Sequence, residues 1–254
     1  MKSSIGIALN VSYWTVPREP SSSDTRAIVF SSGASTTLTK SKRPSVAHCR
    51  EAGMSLAWLH QAGEGFSMTR GNDLGQPAWA PLFSKLKDQA DALKPGLAKV
   101  IDADLERLAR GWPKGLPAGV VHADYFPDNV FFQSGSFTAA FDFYFACTDA
   151  YAYDIAVALN AWCFEPDGSF NITAARQLVA GYESRRPLSE AERAALPILA
   201  HGAAMRFFLT RLHDWRATPA GALVKPKDPL EYERKLAVHR ASPDLVLFGA
   251  PAAG

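Results

Sequence analysis

Hydrophobic positions along this 254-residue chain change period three times. From Pro44 onward, Val46, Cys49, Gly53, Leu56 and His60 recur at steps of three and four, with Leu59 widening the face, and this predicts an amphipathic helix. Leu97, Val100, Ile101, Leu105 and Leu108 repeat the pattern and predict a second helix running to about Gly111. The period then shortens. "GVVH" (119–122) and "VFF" (130–132) read as short buried strands around the turn-rich loop "ADYFPDN". "QSGS" (133–136) reads as a hairpin turn leading into a third strand, "FTAAFDF".

The helical period returns after Asp149. Ile155, Ala156, Leu159 and Trp162 form one face. Ser189 followed by Glu192 is a capping box that opens another helix. Met205, Phe208, Leu209, Leu212 and Trp215 line a long helix after Pro197. Asp228-Pro229, an N-cap followed by proline at the first helical position, opens a last helix to about Arg240. The first 43 residues differ: they are rich in Ser and Thr, sustain no helical period and offer one strand, Ala27 to Phe30. Three parts result: an atypical, poorly ordered segment 1–43, a mainly helical body 44–243 carrying a small β-hairpin, and a flexible tail 244–254.

Composition narrows the function classes. With 47% apolar and 20% charged residues the chain is globular, and a net charge of +2 gives no basis for nucleic-acid binding. No apolar run approaches the roughly 20 residues that span a bilayer, and the N-terminus lacks a signal-peptide cleavage site. Cys49, Cys147 and Cys163 stand at no metal-ligand spacing and read as reduced, mostly buried thiols. A cytoplasmic protein is expected.

The unusual chemistry lies in "VVHADYFPDNVFF" (120–132). Phosphoryl transfer from a nucleotide requires a carboxylate to take the acceptor hydroxyl's proton and oxygen ligands for Mg²⁺ at a fixed distance from it. His122, Asp124 and Asn129 have the spacing H-x-D-x-x-x-x-N, and the hairpin returns Asp142-Phe143 beside Asn129. Asp124 would face the acceptor, Asn129 and Asp142 would share one metal, and His122 would hold the loop backbone. Each residue alone has a plainer reading: His122 as a core histidine, Asp128 as a turn residue, Asp149 as a helix cap, Asp154 as a buried acceptor of backbone N–H groups from the loop. A competing reading gathers His122, Asp124, Asp142, Asp149, His213 and Asp214 into a two-metal phosphohydrolase site.

"VVHADYFPDNVFF", "AAFDFYFACTDAYAYDIAVALNAWCFEPDGSFN" and "RFFLTRLHDW" followed by "KDPLEY" resemble homoserine kinases of the aminoglycoside-phosphotransferase and choline-kinase superfamily. The resemblance covers roughly Pro44 to Arg240, about three quarters of the chain. It implies an α+β, protein-kinase-like fold whose mainly helical C-terminal lobe carries a small catalytic β-hairpin. It also implies transfer of the γ-phosphoryl group of ATP, with Mg²⁺, to the side-chain hydroxyl of L-homoserine. By that resemblance Asp124 is the base, supported by His122, Asn129 and Asp142 bind the metal, and Asp154 supports the loop. Asp149, Glu165 and Arg206 are candidates for the substrate's ammonium and carboxylate. Each of these three again has a plainer reading: a cap, a turn at Pro166-Asp167-Gly168, and an ion pair or snorkelling arginine.

The sequence departs from the superfamily before Pro44. Lys2, Lys40 and Lys42 lie in no strand followed by a Glu-bearing helix, and no G-x-G-x-x-G occurs. "AIVFSSGAS" corresponds to the connection between lobes, and 1–43 to a remnant of the nucleotide lobe. Two alternatives follow: a catalytically silent kinase remnant, or a phosphotransferase acting on another small hydroxyl compound.

Overall fold

The computed structural model describes residues 27–29, 39–40, 44–217 and 226–249. The segment expected to be poorly ordered lies outside these residues, except for two short strands, β1 (Ala27–Val29) and β2 (Thr39–Lys40). Helices α1 (Val46–Ala62), α2 (Gln76–Phe83), α3 (Lys87–Leu93) and α4 (Leu97–Gly111) follow. Next come β3 (Ala118–Val121), β4 (Val130–Gln133), β5 (Ser136–Phe141) and β6 (Cys147–Ala150). Helices α5 (Tyr151–Trp162), α6 (Ile172–Glu183), α7 (Glu190–Ala217) and α8 (Pro229–Ala241) complete the body.

Two small antiparallel sheets form one side. β4 and β5 make a hairpin whose turn, Ser134-Gly135, has positive φ at both residues (51° and 85°), as a right-twisted two-residue hairpin requires. β1 and β2 flank it, giving the order β1-β5-β4-β2. β3 pairs with β6, from Ala118 opposite Ala150 to Val121 opposite Cys147. The loop between β3 and β4 therefore spans the two sheets.

The helices pack around α5, whose residues are apolar on every side and almost all buried, as a central helix must be. Its polar Asn160 is satisfied: Nδ2 donates to the Ala156 and Ala200 carbonyls, and Oδ1 pairs with His239 Nε2 at 2.8 Å. α1 lies on α6, α7 on α5 and α8. Gly53 and Gly181 let α1 and α6 approach until a Cβ on either would meet the other helix's backbone at Leu178 or Arg50. The apolar period correctly put Gly53 on the buried face.

Several expectations are corrected. The helices predicted on either side of Pro197 are one continuous 28-residue helix, α7. Pro197 forfeits one backbone bond, a cost of about 3 kcal/mol in an exposed helix, but packing against α5 and α8 holds the helix together. The capping box is present: Ser189 N–H donates to Glu192 Oε2 (2.9 Å) and Glu192 N–H to Ser189 Oγ (3.2 Å). Val100 and Trp215, assigned to apolar faces, are 40% and 46% exposed, because each sits at the margin of its helix's stripe. Of the tail expected at 244–254, residues 250–254 lie outside the described residues, and Pro243–Gly249 forms a 3₁₀ segment against α6 and α7, with Val246 buried. β2, α2, α3, α6 and β6 were not anticipated, and β2 puts Lys40, expected in no strand, in one that precedes the Glu51-bearing helix α1.

Candidate active site

The loop from His122 to Asn129 is pinned from four directions. Asp154, buried in the first turn of α5, accepts His122 N–H at Oδ2 (2.7 Å) and Ala123 N–H at Oδ1 (2.8 Å). The same carboxylate meets His60 Nε2 of α1 at 3.0 Å, and His60 Nδ1 meets the Tyr182 hydroxyl at 2.7 Å. Burial pushes the Asp154 carboxyl up. The hydrogen bond and charge of His60, with His122, outweigh that and hold it below the usual carboxylate value.

His122 itself bridges the loop to the hairpin. Its Nδ1 accepts Asp124 N–H (3.2 Å), so Nε2 carries the proton and donates to the Phe141 carbonyl (3.0 Å). Tyr125 is fully buried, its hydroxyl 2.7 Å from Ser55 Oγ and its carbonyl accepting from Trp162 Nε1 (2.8 Å). On the far side Phe126 meets Phe207 of α7 edge-on, ring centres 4.9 Å apart. Ala123 and Asp142 have φ of 60° and 63°. Such left-handed backbone costs a non-glycine residue about 1–2 kcal/mol and persists only where the surroundings over-determine it.

This bracing aims three polar side chains. Asn129 Nδ2 donates to the Asp124 carbonyl (2.8 Å) and to Asp124 Oδ2 (3.2 Å), which leaves Asn129 Oδ1 for another partner. The register pairs Val130 with Ala140, so Asn129, just before β4, and Asp142, just after β5, share one end of the hairpin. Asp124 is half-buried. Burial raises its pKa, Arg206, His122 and Lys227 pull it down, Asp142 adds to the rise, and the net shift is upward. An amide oxygen and a carboxylate beside a basic carboxylate are the donor set Mg²⁺ takes when it also binds phosphate oxygens.

The other residues singled out in the sequence are scattered. Asp149 lies in β6 with both oxygens engaged, Oδ1 by Ala150 N–H (2.7 Å) and Oδ2 by Asn72 Nδ2 (2.7 Å). It caps no turn of α5, whose N-cap position is Ala150. Glu165 closes the 164–170 turn, taking Asn171 Nδ2 at 2.6 Å. It also lines a cleft of about 560 Å³ with Pro127, Trp162, Phe164, Glu231 and Lys235. Among the described residues Arg206 of α7 pairs with no helix carboxylate, and it donates instead through Nη1 to the Ala123 carbonyl. His213 and Asp214 pair with each other at 3.4 Å on the exposed end of α7. Among the described residues no group of three or more His, Cys, Asp or Glu has metal-binding geometry, so nothing assembles the two-metal site. Sequence reasoning did not single out His60, Ser55, Tyr125 or Tyr182. His60 was counted only as part of an apolar face, although a histidine there has to find hydrogen-bond partners.

Known proteins place this geometry. The chain is 78% identical over 212 residues to a protein named homoserine kinase from Phenylobacterium zucineum, covering 84% of this chain and 66% of that one. It is 71% identical over 208 residues to one of the same name from Caulobacter vibrioides, covering 82% and 65%. The chain thus spans just under two thirds of the length of these relatives. Among solved structures, an aminoglycoside phosphotransferase from Alicyclobacillus acidocaldarius superposes with a TM-score of 0.56 at 15% identity, covering 88% of this chain and 75% of that one. An ethanolamine kinase from Plasmodium vivax gives 0.55 at 14%, covering 80% and 61%. These likenesses show the expected fold, the aminoglycoside-phosphotransferase variant of the protein-kinase architecture. The model of the phosphotransferase enzyme family matches residues 17–188, which include the whole of the braced loop, its hairpin and Asp154, and the chain belongs to that family.

Proposed function

We propose that this protein acts as a homoserine kinase, moving the γ-phosphoryl group of ATP to the side-chain hydroxyl of L-homoserine to give O-phospho-L-homoserine. The observation that carries the acceptor is the 78% identity, across 84% of the chain, to a relative of that name. The chemistry is supported by the loop. In this reading Asp124 is the base that takes the hydroxyl proton as the oxygen attacks phosphorus, and its raised pKa favours that role. Asn129 Oδ1 and Asp142 would hold Mg²⁺, which supplies charge neutralisation on the transferred phosphoryl group. His122 and Asp154 position the loop without touching the reacting atoms. Asp149, with both oxygens engaged, serves closure of the segment around Asn72. Glu165, on the cleft wall, is the candidate partner for the substrate ammonium.

A cytoplasmic setting goes with this reading. The three cysteines are buried free thiols, and no helix among the described residues is long and apolar enough to cross a membrane. The test is ADP release by the purified chain with Mg·ATP, with and without L-homoserine. Homoserine-dependent release that disappears in Asp124→Asn supports the proposal. A folded chain that releases no ADP is instead a silent relative, and release with other small alcohols but not homoserine reassigns the acceptor.

A further inference from the structure

Arg206 is a buried cation left without a carboxylate. Its side chain is 3% exposed in the middle of α7, and among the described residues no acidic group lies within ion-pair distance. Among the described residues the other buried or half-buried cations each meet a carboxylate, Arg211 and Lys235 sharing one. Arg211 meets Glu231 at 2.6 Å, Lys235 meets Glu231 at 3.1 Å, Arg186 meets Glu192 at 2.9 Å and Arg240 meets Asp104 at 2.6 Å. Of the five N–H donors of a guanidinium, one is given to the Ala123 carbonyl, and Nε is buried with no partner. The plane rests over Phe207 (4.2 Å) and Phe145 (5.1 Å), which fix its orientation but supply no counter-charge. Burying a charge this way is expensive unless something else neutralises it.

Two further observations mark this as a place for a ligand. Among the described residues the Tyr153 and Tyr232 hydroxyls are also buried without partners, and the Tyr232 ring lies 5.2 Å from Phe207, the ring on which Arg206 rests. Arg206 Nη1 also donates to the carbonyl of Ala123, the residue before Asp124, so the unmatched cation and the candidate base share one neighbourhood. The cation enters from α7, whereas Asn129 and Asp142 stand at the hairpin end, where the phosphates would lie. An anion on Arg206 therefore belongs to the acceptor, not to the nucleotide.

We infer that Arg206 receives the carboxylate of the acceptor whose hydroxyl is presented to Asp124, so that the site selects a hydroxy-substituted amino acid over the corresponding amino alcohol. The inference rests on the kinase reading and adds the group that decides acceptor class. A carboxylate can take two parallel N–H bonds from a guanidinium, a geometry that a hydroxymethyl group cannot reproduce.

The ligand can be changed without touching the protein. Binding of L-homoserine and of its carboxyl-reduced analogue, 2-amino-1,4-butanediol, is compared by calorimetry on the wild-type chain with a non-hydrolysable ATP analogue and Mg²⁺. ADP release with Mg·ATP is measured in parallel for both. The expected result is 10–100-fold tighter binding of homoserine, the range of a charged hydrogen-bonded pair. Arg206→Gln should close the gap between the two compounds, losing that factor in the homoserine-to-diol binding ratio, with a far-UV spectrum showing that it folds. Equal binding of the two compounds, or no binding of either, overturns the inference. So does an Arg206→Gln variant that loses nucleotide affinity but keeps the preference for homoserine. The two readings fail separately. Equal turnover of both compounds sinks the role of Arg206 while leaving a kinase, and carboxylate-dependent binding with no ADP release sinks the kinase while leaving that role.

Discussion

Replacing Asp154 with asparagine tests whether one buried carboxylate holds the loop together. In the native protein it accepts from His122 N–H, Ala123 N–H and His60 Nε2 at 2.7, 2.8 and 3.0 Å. Asparagine keeps one acceptor oxygen and turns an amide donor toward a group that also donates. At least one buried backbone N–H is then orphaned, at about 1–3 kcal/mol, and His60 loses a charged partner. Breaking a buried pair of this kind typically costs about 3–5 kcal/mol, which sets the expected total because the two losses overlap. For a domain of this size that lowers Tm by roughly 6–20 °C. Urea unfolding followed by far-UV circular dichroism at pH 7 should show a lower midpoint at unchanged slope. The pH dependence adds a second check. Asp154's folded pKa is depressed below 3.8, so its stabilisation is complete above that value and is lost as pH falls through the folded pKa. The difference between wild type and Asp154→Asn should therefore narrow below pH 3.8. A penalty under about 1 kcal/mol at pH 7 would refute the reasoning, because the loop would then be held by something other than this carboxylate.

Three further predictions follow from the same geometry. Asp124→Asn should lower turnover by about 10²–10⁴-fold. It should also raise Tm slightly at pH 8, because a carboxyl whose folded pKa is raised destabilises the fold when ionised; a lower Tm would contradict this. Asp142→Asn should weaken the Mg²⁺ dependence of ADP release at least tenfold while leaving the thermal melt of the apoprotein within about 1 kcal/mol of wild type. An unchanged Mg²⁺ titration would exclude Asp142 as a ligand. Gly53→Ala forces a Cβ into the α6 backbone at Leu178 and should cost about 1–3 kcal/mol in urea unfolding. A neutral result would mean that α1 and α6 can separate without loss.

Local spacing made the site legible in the sequence, whereas its support was not. His122, Asp124, Asn129 and Asp142 lie within one loop and one hairpin, where a two-residue turn sets the register, so their juxtaposition is nearly a property of the segment itself. The capping box at Ser189 and the proline-led start of α8 were readable for the same reason: a helix end is decided by its nearest neighbours. Where short-range rules met tertiary packing they failed. Pro197 should have ended a helix, but the elements packed along α7 outweighed one lost bond. The apolar period also placed Val100 and Trp215 inward, when only contact with a neighbouring helix decides how wide a buried stripe is.

Sequence alone therefore determined the elements that depend on adjacent residues, the identity of the loop's polar groups, and the resemblance that they carry. Tertiary structure decided which distant residues complete them: His60 and Asp154, 94 positions apart, and Arg206 and Ala123, 83 apart. It also decided the electrostatics. The chain has 25 aspartates and glutamates against 27 lysines and arginines, so composition predicts a partner for nearly every cation. Only the packing of α7 against the loop leaves Arg206 facing a carbonyl and two aromatic rings instead of an acid. Charge pairing is a property of three-dimensional proximity and desolvation, and neither is written in the order of residues along a helix.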